Sequence, residues 1–322
     1  MTDSRIRPEL SVVVPVYCSQ GSLQPLVEAI FAAFPASPES VEIILVNDAS
    51  TDDSWQVMTR LAGEHPNLRC LNLRRNFGQD NAILTGLSHS RGDYVAIMDD
   101  DLQHDPADLP RLLEVAKTDC DVVYARYTRK QQSWWKNIGS WINGKTAEWL
   151  LGKSSDIHLS PYKILCRPVV DAVCVYDGPY PYIDGLLFQI TSRFSQLEVT
   201  HHRREFGHGN FSPRRSLSVW LRLFSSFSVQ PLRLVTFCGL LFAVAGLVGA
   251  AALIFHRLSA PAEFYGPAAG WASLMVAILV IGGMQMIFLG VIGEYVGRTY
   301  LKVNRKPQSL VMEALNLPEP ER

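Results

Sequence analysis

Three carboxylates and an amide oxygen fall within five positions in Met98-Asp99-Asp100-Asp101-Leu102-Gln103. Hard oxygen donors of this kind suit Mg²⁺ or Mn²⁺. Asp101 and Gln103, two residues apart, share a direction in extended backbone and are the candidate metal ligands. A cation held there neutralises the charge that develops when a diphosphate departs, which is what a nucleotide diphosphate sugar requires. An acidic turn that caps a helix is the simpler alternative.

Other segments supply complementary chemistry. Asp48, in Asn47-Asp48-Ala49-Ser50-Thr51-Asp52, can accept a hydrogen bond from a base or a ribose hydroxyl; an N-cap or Asx-turn is the alternative. Pro15-Val16-Tyr17 can floor a base pocket. Arg74-Arg75-Asn76-Phe77-Gly78-Gln79 leads into a helix, where backbone N–H groups and arginines suit an anion, or it is a solvated basic turn. His201-His202-Arg203-Arg204-Glu205-Phe206-Gly207-His208-Gly209-Asn210 reads as a phosphate clamp on a glycine-containing loop, or as a patch for anionic lipid headgroups. Adjacent His201 and His202 face apart in a strand, which argues against zinc.

These side chains need a frame, and the first 125 residues provide an alternating one. Strands are predicted at 10–16, 41–46, 68–73, 94–98 and 122–125. Helices are predicted at 22–34 with Ser22 as a possible N-cap, 53–64, 78–90 and 106–117. This βαβα order predicts a mostly parallel sheet with helices on both faces. Ligands of such sheets bind outside the carboxyl ends of the strands, where Tyr17, Asp48 and Asp99 to Gln103 fall. Residues 126–160 carry Trp134, Trp135, Trp141 and Trp149 at roughly helical spacing, as expected of a packed or membrane-proximal helix.

The chain has 322 residues and a net charge of -1, and no nucleic-acid partner is expected. Its six cysteines form no Cys-x-x-Cys pair, which fits free thiols in a reducing compartment. No apolar segment follows Met1-Thr2-Asp3-Ser4-Arg5, so no signal peptide is expected. Residues 216–228 mix Leu, Trp and Phe with Ser and Arg, as in an amphipathic helix lying at an interface. Residues 234–255 and 271–293 contain no charged side chain. The first of these spans about 33 Å as a helix, close to the hydrocarbon thickness of a bilayer. A transmembrane hairpin is predicted. Arg214, Arg215, Arg222 and Arg233 precede it, and Arg298, Lys302, Arg305 and Lys306 follow, so both termini are expected on the cytoplasmic side.

Together these segments resemble the inverting family-two glycosyltransferases of the GT-A fold, in the polyprenyl-phosphate group with two C-terminal membrane helices. The likeness rests on Val13-Val14-Pro15-Val16-Tyr17, Val46 to Asp52, Arg75-Asn76-Phe77-Gly78-Gln79 and Gly92-Asp93 through Gln103. It extends to Arg204-Glu205-Phe206-Gly207 and Ile292-Gly293-Glu294-Tyr295-Val296-Gly297-Arg298. It implies a Rossmann-like α/β catalytic domain over 1–210, an interfacial helix over 211–230, a transmembrane hairpin over 231–298 and a cytoplasmic tail over 299–322. It implies transfer of a sugar, UDP-linked in preference to GDP-linked, to undecaprenyl phosphate on the inner face of a bacterial plasma membrane.

The resemblance also implies residue roles. The nucleotide sugar would meet Pro15, Val16, Tyr17, Asp48, Asn76, Gln79, Asp99 and Asp100. Mg²⁺ or Mn²⁺ would sit on Asp101 and Gln103. Asp156, with Asp101, would be catalytic, and Arg203, Arg204 and Lys163 would meet the lipid phosphate. Membrane lipids and further copies of the chain, as a tetramer, are the expected partners. Departures from the family pattern are Asp100 for a small residue, Ala49 for Gly, Lys163 for Arg and Gly209-Asn210 for Ser-Lys. A processive polysaccharide synthase would carry Gln-x-x-Arg-Trp and more spans, and neither is present. A transferase acting on a lipid hydroxyl and a non-catalytic membrane scaffold are the other readings.

Overall fold

Seven consecutive residues, Leu10–Val16, are all buried and form β1, and Val41–Asn47, equally buried, form β2. Continuous burial of this kind belongs to a central strand of a parallel sheet covered on both faces. The computed structural model describes residues 7–127, 157–178, 181–199, 230–259, 270–304 and 307–317. The remaining strands are β3 (Leu68–Leu73), β4 (Tyr94–Ile97), β5 (Val122–Tyr127), β6 (Lys163–Cys166), β7 (Phe194–Val199) and β8 (Val311–Leu315). They form one sheet in the order β7-β5-β6-β4-β1-β2-β3-β8. β1 pairs in parallel with β2 and β4, and β2 with β3; β6 and β8 run antiparallel to their neighbours. The mostly parallel sheet expected from the sequence is therefore present.

Helices cover the sheet as their apolar spacing requires. α1 (Leu23–Ala32) buries Leu23, Leu26, Val27 and Ile30, and α2 (Ser54–Glu64) buries Met58, Leu61 and Ala62. These spacings of three and four residues place one stripe against the sheet. Each fully buried Leu, Ile or Val contributes about 1.5–3 kcal/mol. α3 (Gln79–His89) packs on β1 and β2. Its Gly86 permits that approach, since a Cβ there would lie 2.4 Å from Val13 Cγ1 and 3.1 Å from Val46 Cγ2. α4 (Leu109–Ala116) follows a single 3₁₀ turn over Pro106–Asp108, where one helix over 106–117 was predicted. α5 (Arg167–Cys174) and α6 (Ile183–Ile190) complete this unit. Ser22 stands at the N-cap position of α1, but its hydroxyl donates to Ser19 O at 3.0 Å instead of capping.

The chain divides into two compact units, Met1–Ser216 with Arg305–Arg322, and Leu217–Asn304. The second unit contains two long helices, α7 (Gln230–Ser259) and α8 (Trp271–Val303). Val280–Val303 is long and apolar enough to cross a membrane, with mean hydropathy 1.5, and Val235–Gly249 is a shorter apolar stretch. Large apolar side chains such as Phe237, Leu241, Leu274 and Ile287 are exposed along both helices. Most of the tryptophan-rich segment and the interfacial helix expected over 211–230 lie outside the described residues.

The segment after α8 corrects the sequence reading. Residues 299–322 were expected to be a tail, yet 311–315 form β8 and pair with β3, Cys70 opposite Leu315 and Leu71 opposite Ala314. β8 covers what would otherwise be an open edge with unpaired backbone groups. Asn316, in left-handed conformation at φ 57°, then donates from Nδ2 to Ala62 O at 2.7 Å and Leu68 O at 2.9 Å. Replacing Asn316 by Gly keeps the backbone conformation and removes these bonds, so thermal melting should show a loss of about 1–2 kcal/mol. Asn316→Ala should lose about 1 kcal/mol more, because a Cβ disfavours the left-handed region.

Candidate active site

The candidate site begins where two strands part. β1 stays paired with β2 as far as Val16 opposite Asn47, but with β4 only as far as Val13 opposite Ile97. Met98 N donates to Val13 O at 3.2 Å, whereas Asp48 N donates to Val16 O at 2.9 Å on the other side. Alternation along β1 turns Pro15 toward β4, and proline has no N–H to extend that ladder. A crevice opens at the carboxyl ends, between strands whose connections run to opposite sides of β1.

The ends of β1, β2 and β4 each turn through a residue in the left-handed region: Cys18 after β1 (φ 55°), Ala49 after β2 (φ 53°) and Leu102 after β4 (φ 57°). Non-glycine residues rarely adopt this conformation, and such strain gathers at functional sites. Side chains hold the first two turns together. Cys18 N donates to Ser50 Oγ and Ser19 N to Ser54 Oγ, both at 3.0 Å. Gln20 N donates to Asp52 Oδ2 at 3.2 Å, and Asp53 N to Gln20 Oε1 at 3.0 Å.

Several sequence-predicted residues meet here. Gln79 Nε2 donates to Asp99 Oδ1 at 2.8 Å, joining the start of α3 to the acidic segment. Tyr17 N donates to Asp100 Oδ2 at 3.2 Å, and the Tyr17 ring is exposed at the rim. Pro15 and Val16 are buried within β1, so Tyr17 is the member of that trio that offers surface. Asp48 is buried and accepts from Phe77 N at 2.7 Å and Gly78 N at 2.8 Å. Its carboxylate therefore fixes the loop that begins α3, at Gly78, whose φ of +94° favours glycine. Burial raises the Asp48 pKa, and the two amide bonds oppose the rise. Asn76 is exposed on that loop, and the Arg75 guanidinium lies 4.6 Å over the Phe77 ring.

The acidic segment is a turn, which corrects the expectation of extended backbone from Asp101 to Gln103. Leu102 reverses the chain, and Gln103 N donates to Asp101 Oδ1 at 3.2 Å. The Asp100 carboxyl is pushed up to about 6, first by burial, against hydrogen bonds from Ser19 and Tyr17, with the charges of Asp99 and Asp101 adding to the rise. Crowded hard oxygens of this kind fit a divalent cation. Among the described residues no three His, Cys, Asp or Glu side chains form a cage on their own. A Mg²⁺ or Mn²⁺ ion bound through one or two carboxylates and completed by substrate phosphates needs no such cage.

Lys163 was expected at a lipid phosphate, but the structure gives it another partner. It is buried in β6, its ammonium bonded to Asp184 and 5.3 Å from the Tyr124 ring centroid. Tyr124 Oη also donates to Asp184 Oδ1, at 2.8 Å. A buried cation committed in this way would leave a buried carboxylate uncompensated if it turned to another anion. Asp156, Arg203 and Arg204 lie outside the described residues. Sequence reasoning missed His104, which is buried, 3.5 Å from Asp99 Oδ2 and tilted against the Tyr162 ring at 5.2 Å. Its place in the acidic segment was the available signal. It also missed Asp80 and Asp184, whose partners lie far along the chain.

Residues 11–173 match the family model described as glycosyl transferase family 2, and residues 230–299 match one described as GtrB C-terminal hairpin. The chain is 33% identical to an undecaprenyl-phosphate 4-deoxy-4-formamido-L-arabinose transferase of Serratia proteamaculans, over 97% of this chain and 96% of that protein. A transferase of the same description from Sodalis glossinidius is 32% identical over 94% and 93%. Among solved structures, a glucosyl-3-phosphoglycerate synthase of Mycobacterium tuberculosis, in complex with Mn²⁺, uridine diphosphate and phosphoglyceric acid, has a TM-score of 0.51. It covers 68% of this chain and 76% of its own at 16% identity, a likeness of fold.

The strained turn after β2 is open to a direct check. Ala49→Gly removes the Cβ that opposes φ 53°, and a net gain of about 0.5–1 kcal/mol is expected after the added freedom of the unfolded chain is subtracted. Thermal melting should register a rise of about 1–4 °C.

Proposed function

Because this chain belongs to glycosyl transferase family 2 and is a glycosyltransferase, we propose that it transfers a sugar from a nucleotide diphosphate, UDP in the first instance, to the phosphate of undecaprenyl phosphate. The observation that carries this reading is the convergence of Asp99, Asp100 and Asp101 with Gln79 and Tyr17 at the crevice between β1 and β4. Similarity to the undecaprenyl-phosphate transferases along nearly the whole chain supports the acceptor.

In this reading the base and ribose lie along the Tyr17 rim, the loop ordered by Asp48, and Asp99. Asp101 and Gln103 would hold the Mg²⁺ or Mn²⁺ ion. When bound, the ion supplies positive charge against the departing diphosphate. An oxygen of the lipid phosphate attacks the anomeric carbon as the bond to the diphosphate breaks, and the single displacement inverts the configuration. A phosphate monoester with a second pKa near 6 is largely dianionic at neutral pH and is its own nucleophile. A strong general base is not required, so we assign Asp156 to positioning the reactants. Asp184 is committed to Lys163 and Tyr124. Arg203 and Arg204 are proposed to offset repulsion between the two anionic substrates.

The same reading places the catalytic unit on the cytoplasmic face. β7 precedes α7 and β8 follows α8, yet both strands belong to one sheet. Any membrane crossing between them must therefore occur an even number of times, in keeping with a two-helix hairpin. The arginines and lysines on both flanks favour the cytoplasmic side.

Purified full-length protein in detergent, given undecaprenyl phosphate, Mn²⁺ or Mg²⁺ and a panel of nucleotide sugars, should form one glycosyl-phosphoryl lipid detectable by mass spectrometry. Asp101→Ala should lower turnover by about 10²–10³-fold, the scale of losing a group that stabilises transition-state charge. Cys18 is the exposed member of the six free cysteines and stands at the rim. Maleimide should label it fastest, and UDP with Mn²⁺ should slow the labelling. Absence of both product and protection would refute the reading.

A further inference from the structure

Asp80 follows Gln79 in the first turn of α3, and the two side chains serve different neighbours. Gln79 reaches Asp99 in the acidic segment. Asp80 turns toward the start of α6, where it accepts from Ile183 N over a long 3.4 Å. The groups that face it are Asp184 and Tyr182 at the start of α6 and Lys163 on β6, with Tyr124 on β5 behind Asp184. Lys163 and the Tyr124 hydroxyl are both spent on Asp184. A carboxylate has about four lone-pair sites, so the contact with Ile183 leaves Asp80 with capacity to accept more.

Burial, reinforced by the charge of Asp184 and opposed by Ile183 N and Lys163, pushes the Asp80 carboxyl up to about 6. With the folded pKa above the unfolded value of 3.8, stability is full below about pH 4 and is progressively lost as the pH rises to about 6. At neutral pH Asp80 therefore works against the fold. A half-buried carboxylate with one long hydrogen bond and acceptor capacity to spare, beside the residue that grips Asp99, has the character of a ligand contact.

We propose that the Asp80 carboxylate accepts hydrogen bonds from donors on the sugar ring of the nucleotide sugar held beside Asp99, and so helps to set which sugar is transferred. The inference rests on the nucleotide-sugar reading of the crevice and adds the residue that discriminates the sugar. Asp184, neutralised by Lys163, is the wall behind this contact.

The test uses full-length protein in detergent, with UDP and with the UDP-linked sugar that the wild type consumes. Asp80→Ala should lower kcat/KM for the nucleotide sugar by about ten- to a hundredfold, the scale of a lost charge-assisted hydrogen bond. UDP affinity, read from Cys18 protection, should stay within about twofold, since the contact is made to the sugar alone. Asp80→Asn, which keeps one acceptor oxygen, should lose less and relax the preference among donor sugars. The Asn variant should also melt higher than wild type at pH 7.5, with the gain fading toward pH 4. Unchanged kcat/KM with unchanged UDP affinity would overturn the proposal and leave the nucleotide reading standing. A joint fall in sugar turnover, UDP affinity and melting temperature at both pH values would make Asp80 a structural acid and overturn it too. Failure of the wild type to bind UDP would instead strike the reading beneath it.

Discussion

Met98 N donates to Val13 O, and there the ladder between β1 and β4 stops, because the next position of β1 that faces β4 is Pro15. On its other side β1 runs on with β2 through Val16. This unequal ending means that the residues after β4 need not follow the sheet and can turn across its edge. Asp99, Asp100 and Asp101 lie in that turn. Tyr17 N, just after β1, and Gln79 Nε2, at the start of α3, then hold Asp100 and Asp99 in place. Asp48 acts one step further back, fixing the loop from which Gln79 projects.

The electrostatics of the crevice follow from this gathering of like charges. Desolvation and mutual repulsion make the acidic turn unfavourable in isolation, as the raised Asp100 carboxyl records. A site of that kind gains from the arrival of a cation and of a ligand rich in hydrogen-bond donors. The charges are matched differently where Lys163 on β6 neutralises Asp184 at the start of α6, while Asp80 has one long hydrogen bond, from Ile183 N.

The C-terminal strand ties the end of the chain to the elements that carry the site. β8 follows the long apolar helices in sequence, yet it completes the sheet beside β3. Arg74 N, at the head of the loop that leads to α3, donates to Leu310 O at 2.9 Å, and Thr85 in α3 donates to Ser309 Oγ at 2.7 Å. The chain that emerges from α8 is therefore bonded to the elements that carry Gln79. A segment that reads as a tail is an integral part of the domain's edge.

The sequence by itself determined most of the strands and helices of the first 125 residues, the gathering of polar residues at the strand ends, the family and the apolar segments near the C-terminus. These were legible because periodicity of burial is local and because strand ends in parallel sheets are where polar clusters collect. Only the tertiary structure decided who partners whom. Lys163 meets Asp184 across 21 positions, Asp80 meets Ile183 across 103, and β8 returns to β3 after both long helices. It also decided that Asp101 to Gln103 turn instead of extending, since Leu102 takes a left-handed conformation that its residue type does not announce. A charge or a short apolar strand carries no mark of its distant partner in the residues beside it. Packing brings the two together, and the free energy of burying them as a pair fixes what each can do.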